Sequence, residues 1–259
     1  MYHSPNVEDA SLFIGLAAII KKALKNIYDG FVGVEPHIYE ATEKILNDAL
    51  DKGLKLKYNK TNKAFIDELR YNVKVFSAFK AHSQCNDMVA LLYDKDGKIR
   101  PYNEWLKDAM KISDHQNKTW LKTERNTALR RGRVAAQFKE FEAKKHLYPN
   151  LRWLESTSVT VRPEHRMFWN MVRPVEDAFW LSHYPGDEWN CHCGIEQTKD
   201  DVSEVPEGDL PEPPPGLDKN PFYSKEIITD THPLIAQYSS DEQKAIKKEL
   251  DDLIKKEAE

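Results

Sequence analysis

As far as Lys145 the apolar residues recur with the period of a helix. From Asp9 to Tyr28 one face carries Leu12, Leu16, Ile19, Ile20, Ala23, Leu24 and Ile27, and Gly30 and Gly33 end the run. Pro36 opens a second helix at a position where a missing N–H does no harm, and Ile38, Thr42, Ile45, Leu46, Ala49 and Leu50 carry it to Gly53. Thr61 or Asn62 caps a third helix, in which Phe65, Leu69, Val73 and Phe76 share a face and whose run extends through Met88 to Leu92. Asp94-Lys95-Asp96-Gly97 reads as a turn. A short helix over Glu104–Met110 and a long one over His115–Lys145 follow, with Trp120, Glu124 and Ala128 on one face of the latter. Gly132 inside that helix costs up to about 1 kcal/mol against alanine, which points to close packing or a kink.

Tyr148-Pro149-Asn150 breaks the helical pattern and the character of the chain changes. Leu151–Val161 alternates and is rich in β-branched residues, the signature of a strand. From Arg162 to Gln197 tryptophan, proline, histidine and cysteine replace any periodicity, as in a compact, loop-rich module held by side-chain chemistry. Val202–Gly216 sets five prolines among acidic residues and reads as an extended, mobile linker without regular helix or strand. Ser239-Ser240-Asp241 caps a last helix to about Lys256 with a thin apolar stripe. The fold expected is α+β: a helical domain over 1–148, a small β-containing module over 149–200, a proline-rich linker over 201–219, and a tail with a helix over 220–259.

Composition narrows this only in part. Hydrophobic residues make up 40% and charged residues 31% of the chain, a globular profile. No apolar run approaches the roughly 20 residues that a membrane span needs, and Leu12–Ile20, followed at once by Lys21 and Lys22, reads as a buried turn of helix in an unexported protein. A net charge of −4 gives no overall nucleic-acid signature, but Lys118–Lys145 concentrates basic residues, among them Arg125, Arg130, Arg131 and Arg133. These four are candidate contacts for DNA or a partner protein, against the plainer reading of a solvated helix face. Of the three cysteines, Cys191 and Cys193 are too close for an easy disulfide, which suits thiols that are free or bound to metal.

His165, Cys191 and Cys193 form a candidate metal set, since thiolate and imidazole suit Zn²⁺ in tetrahedral geometry. A fourth ligand has four candidates: His183, His192, His232 and Asp177. The alternative is that the cysteines are small buried hydrophobes and His165 is hydrogen-bonded in the core. Arg162 is expected to pair with Asp177 or Glu176 rather than bind an anion. Trp169, Trp180 and Trp189 read as core anchors, with nucleic-acid stacking as the alternative for the last two. Cys85 lies in an apolar helical run and reads as core. No nucleophile, base and phosphate-binding loop fall together.

Three segments carry a resemblance: Val161-Arg162-Pro163-Glu164-His165; Pro174-Val175-Glu176-Asp177-Ala178-Phe179-Trp180; and Tyr184-Pro185-Gly186-Asp187-Glu188-Trp189-Asn190-Cys191-His192-Cys193. Their order resembles the Mu F-like family of phage head morphogenesis (minor head) proteins, in which Arg-x-x-His leads to Pro-x-x-Asp-x-Phe-Trp and then Cys-Arg-Cys. Arg70-Tyr71-Asn72-Val73, Trp120–Asn126, Asn220-Pro221 and His232-Pro233 extend the likeness over roughly 23–233. The sequence departs from the pattern at Ser158, where an aspartate is usual, at Asn170 in place of a glycine, and at His192 in place of the central arginine.

The resemblance implies a structural minor head protein, of phage or prophage origin, acting in portal-proximal head assembly. Its partners would be portal or capsid proteins, with DNA as a further candidate partner. It would sit in the host cytoplasm during assembly and then in the virion head. Arg162, Asp177, Trp180 and His232 would be structural motif residues, and zinc the cofactor. Two other classes stay open: a metal-dependent nuclease or toxin-like enzyme built on His165 and the cysteines, and an assembly protein that binds DNA through the basic helix.

Overall fold

A computed structural model describes residues 7–258 except 159, 160, 162 and 207, with side chains described from residue 15 to 256 apart from Lys118. It is α+β. Five helices come first: α1 (Val7–Tyr28), α2 (Pro36–Leu54), α3 (Lys63–Val89), α4 (Tyr102–Asp114) and α5 (Leu121–Lys144). Three short strands follow, β1 (Asn150–Leu154), β2 (Val172–Pro174) and β3 (Gly194–Thr198), and then α6 (Pro221–Ser224), α7 (Pro233–Ala236) and α8 (Ser240–Ala258). Two compact units result. The first takes 1–47, 73–124 and 234–259, and the second takes 48–72 and 125–233. The unit boundaries fall inside α2, α3 and α5, because each of these helices is long enough to serve one core with one end and the other core with the other.

The first unit is built on the helical face read from the sequence. Leu16, Ile20, Leu24 and Ile27 of α1 are buried with Ile38, Leu46, Phe76, Phe79, Trp105, Ile246 and Leu250; Leu12 lies outside the described side chains. Trp105 keeps its indole N–H satisfied on the Met88 carbonyl at 2.9 Å. Pro36 is the first residue of α2, and the buried carboxylate of Glu35 just before it accepts from Ile38 N at 2.9 Å and from the Asn26 amide at 3.0 Å. Val34 N donates to Glu249 of α8 at 2.8 Å. Cys85 is core, as expected: burial pushes its thiol up to about 11.

One departure concerns the long fifth helix. Residues His115–Trp120 form a π-helical turn between α4 and α5. This wider turn shifts the helical phase, so Trp120 is exposed while Glu124 and Ala128 are buried. It also brings polar groups inward. Lys80, wholly buried, donates to the Gln116 carbonyl at 3.1 Å and pairs with Glu124 at 2.5 Å. Burial disfavours both charges, lowering the pKa of Lys80 and raising that of Glu124, while their mutual attraction opposes each shift.

The second unit holds a three-stranded antiparallel sheet in the order β2-β1-β3. Trp153 lies opposite Ile195 and Leu151 opposite Arg173. Only 150–154 of the expected strand forms; Val159 and Thr160 lie outside the described residues. The loop-rich stretch in turn supplies β2 and β3. Leu151 and Trp153 face a core of Val134, Phe138, Phe141, Phe168 and Trp180. Trp180 is an anchor, its indole bonded to the Pro174 carbonyl at 2.9 Å, whereas Trp169 and Trp189 are only partly buried and the fully buried Trp153 takes the larger role. Among the described residues 202–216 have no helix or strand. They are nonetheless tied down: Ser203 bonds Val172 in both directions, and Gly216 N donates to Thr231 at 2.8 Å.

Gly132 is explained by packing. A Cβ there would lie 2.8 Å from the Leu50 carbonyl oxygen, and one on Gly53 would strike the Leu129 carbonyl. The end of α2 and the middle of α5 thus touch backbone to backbone.

Two stability results follow. Lys80→Met alone should destabilise the protein by about 3–5 kcal/mol, because it strands a buried carboxylate, whereas Lys80→Met with Glu124→Leu should recover most of that loss. Urea unfolding of both variants measures this, and a double variant no more stable than the single would refute the account. Gly132→Ala should lower stability by about 1–3 kcal/mol through overpacking, despite alanine's better helix propensity; an unchanged or raised Tm would rule out the close approach.

Candidate metal centre

The sheet and two turns bring together the set anticipated from sequence. His165 sits in a short 3₁₀ turn (Pro163–Phe168) after β1, and Cys191 and Cys193 lie just before β3. All three side chains are buried, and their ligand atoms lie within 4.8 Å of one another. His165 Nδ1 is 3.5 Å from Cys191 Sγ and 3.7 Å from Cys193 Sγ. Tetrahedral zinc with ordinary bond lengths separates neighbouring ligand atoms by about 3.5–3.8 Å, so both edges fit such an ion. On the other side of the ring, His165 Nε2 faces the buried Asp187 carboxylate at 3.3 Å. That contact is poorly aligned, and Asp187 Oδ1 has no hydrogen-bond partner among the described residues. A carboxylate behind a histidine fixes its tautomer and orients its free nitrogen toward a metal.

The protons of the ion-free site follow from this geometry. A hydrogen bond from Cys191, opposed by burial and helped by His165, holds the Cys193 thiol down at about 4. The same bond to Cys193, together with burial, pushes Cys191 up. Burial works against a charged His165, but Asp187 and Cys193 outweigh it and raise the ring to about 10. The group therefore stores a thiolate beside an imidazolium, and a metal would displace the remaining protons.

The four candidates for a fourth ligand do not join this group. His192 is exposed, and only its carbonyl turns inward to accept from Thr157 N at 3.2 Å. His183 stacks on Phe179, and His232 packs edge-on against Trp189. Asp177 caps the turn at Ala178 by accepting from Phe179 N at 2.8 Å and pairs with Arg173 at 2.5 Å. Arg173 thus fills the role expected of Arg162, which lies outside the described residues. Asp187, the residue behind the histidine, was not singled out as part of the set; lying 22 residues from His165 in a stretch without periodicity, it gave no signal.

The basic helix divides. Arg131 is fully buried and is not a surface contact. It donates to the Tyr184 hydroxyl, to Leu217 O at 3.1 Å, to Lys219 O at 2.6 Å and to Glu226 O at 3.1 Å. Arg133 is exposed, and Arg125 and Arg130 are partly so.

Comparison with known proteins agrees with the motif reading. Residues 95–196 match the family model described as Phage Mu protein F like protein, which takes in His165, Cys191 and Cys193 but is shorter than the likeness read from the motifs. A stretch of 49 residues is 41% identical to capsid assembly protein F of Escherichia phage Mu. That alignment spans 19% of this chain and only 11% of the relative. No solved structure matches.

If the set binds zinc, protein purified without chelator should carry the metal, as elemental analysis would detect. Cys191→Ser with Cys193→Ser should then lose both the metal and the cooperative unfolding of the second unit, because metal affinity is folding free energy. Wild-type protein purified without chelator that carries no metal, or a double variant that unfolds like wild type, would exclude this.

Proposed function

We propose that the chain, whose residues 95–196 match the Mu protein F-like family model, is a phage head assembly protein, a minor head component that acts close to the portal. The observation that carries the reading is the identity shared with a capsid assembly protein over 49 residues. Its partners are then portal or capsid proteins, met in the host cytoplasm before the protein is enclosed in the virion head. No helix among the described residues is long and apolar enough to cross a membrane.

On this reading the His165 site is a staple. Its three ligands come from both ends of a module whose strands span five, three and five residues. Such a sheet buries little on its own, and three or more strands still need a packed face to persist. A zinc ion would join the 3₁₀ turn to the turn that leads into β3 and thereby fix the aromatic face on which the sheet rests. The burial of all three donors supports a structural ion over one that activates water.

The test pairs stability with assembly. His165→Gln should lower Tm and prevent incorporation into heads made with the cognate portal and capsid proteins, as followed by mass spectrometry of purified particles. Absence of the wild-type chain from those particles would refute the assembly role. A His165→Gln variant that melts like wild type but loses a nuclease turnover would identify an enzyme instead.

A further inference from the structure

Beside the metal centre, within the second unit, lies an open pocket of about 350 Å³ that neither the cysteine set nor the sheet requires. One wall is α5. Asn126, Arg130 and Arg133 recur there at i, i+4 and i+7 and so share a face, with Thr127 one turn before Arg130. The facing wall is the turn that leads into Cys191 and His192.

Two observations mark this pocket as a binding site. Thr127 is 4% exposed, yet its buried hydroxyl has no hydrogen-bond partner among the described residues, and the buried Nε of Arg130 has none either. Buried polar groups are nearly always satisfied, so two orphans on one wall call for an absent partner. The second observation is charge. Arg130 and Arg133 both line the pocket; burial disfavours the charge of Arg130, with Cys191 opposing that effect and Arg133 adding to it, and Glu188 is the single acidic residue of the lining. A guanidinium removed from water beside a second one is poorly placed unless an anion bridges them.

We propose that this pocket binds a phosphate-bearing ligand, with Arg130 and Arg133 clamping the phosphoryl oxygens and the Thr127 hydroxyl donating from the floor. Phosphate accepts several hydrogen bonds at once and matches the planar fork of arginine. The volume lies at the low end of the roughly 300–1,000 Å³ typical of small-molecule pockets. It therefore has room for a phosphate together with part of the group that bears it. The phosphate can come from a free nucleotide or from a DNA backbone. The site is independent of the assembly reading.

The test is calorimetric titration of the full chain, at low salt, with inorganic phosphate, deoxyadenosine monophosphate and deoxyadenosine. The two phosphates should bind and the nucleoside should not. Arg133→Gln, at an exposed position, should weaken binding by about tenfold or more, the usual worth of a charged hydrogen bond. Thr127→Val should also weaken it while leaving the free protein at least as stable, since the hydroxyl it removes has no partner there. A short DNA duplex that displaces the monophosphate, with steep salt dependence, assigns the site to a nucleic-acid backbone; failure to displace it assigns the site to a free nucleotide. The proposal is overturned if neither phosphate binds wild type, or if both folded variants bind as wild type does.

Discussion

A guanidinium sealed from water needs partners where it lies, and the two terminal nitrogens of Arg131 find four. Its four oxygen partners come from Tyr184 and from three carbonyls of the 217–226 segment. The Tyr184 hydroxyl in turn donates to Leu217 O at 3.1 Å and Lys219 O at 3.0 Å, so phenol, guanidinium and carbonyls close on one another. Tyr184 is also where the turn begins that carries Asp187: Tyr184 N donates to Asp187 Oδ2 at 3.1 Å, and Asp187 N returns to Tyr184 O at 3.0 Å. Asp187 then faces His165. One buried cation on α5 thus sets the position of the carboxylate behind the metal-ligand set. This explains why a stretch with so little regular structure still holds its side chains in register.

The same dependence separates what could be read from the sequence from what could not. The helices were legible because burial on one face imposes a period that any run of Leu, Ile and Phe displays. The His165, Cys191 and Cys193 set was legible because few jobs other than metal binding place two thiols one residue apart near a histidine. Strands β2 and β3 were not. Val172–Pro174 has three residues and ends in a proline, which only an edge strand tolerates. Gly194–Thr198 buries one residue in five, too little for alternation to register. The phase shift at Trp120 was equally hidden, since a π turn leaves no mark on the hydrophobic pattern.

Charged residues were the least legible. Arg125, Arg130, Arg131 and Arg133 look alike as sequence, yet one is the buried hub, two line a pocket and one lies partly exposed beside Asn126. What divides them is the angle at which each leaves α5, and that angle acquires meaning only once the 184–192 turn and the 217–226 segment have packed against the helix. Arg173 and Asp177 make the same point: a pair at i, i+4 in a non-helical stretch meets because the chain turns at Pro174, which no spacing rule reveals.

The contact between Val34 and Glu249 joins residues 215 positions apart. The first unit as a whole draws on the beginning, middle and end of the chain. Contacts of such separation form slowly, because a long loop must close before any of them can stabilise it. During synthesis, α1 and the start of α2 emerge from the ribosome long before α8 exists to bring Glu249 to Val34. Throughout that interval their apolar face is open to wrong partners, the condition under which chains aggregate or require a chaperone. The second unit, whose sheet closes within 125–233, has no such wait for the last helix. Translation order therefore lets the sheet module close before the helical unit can.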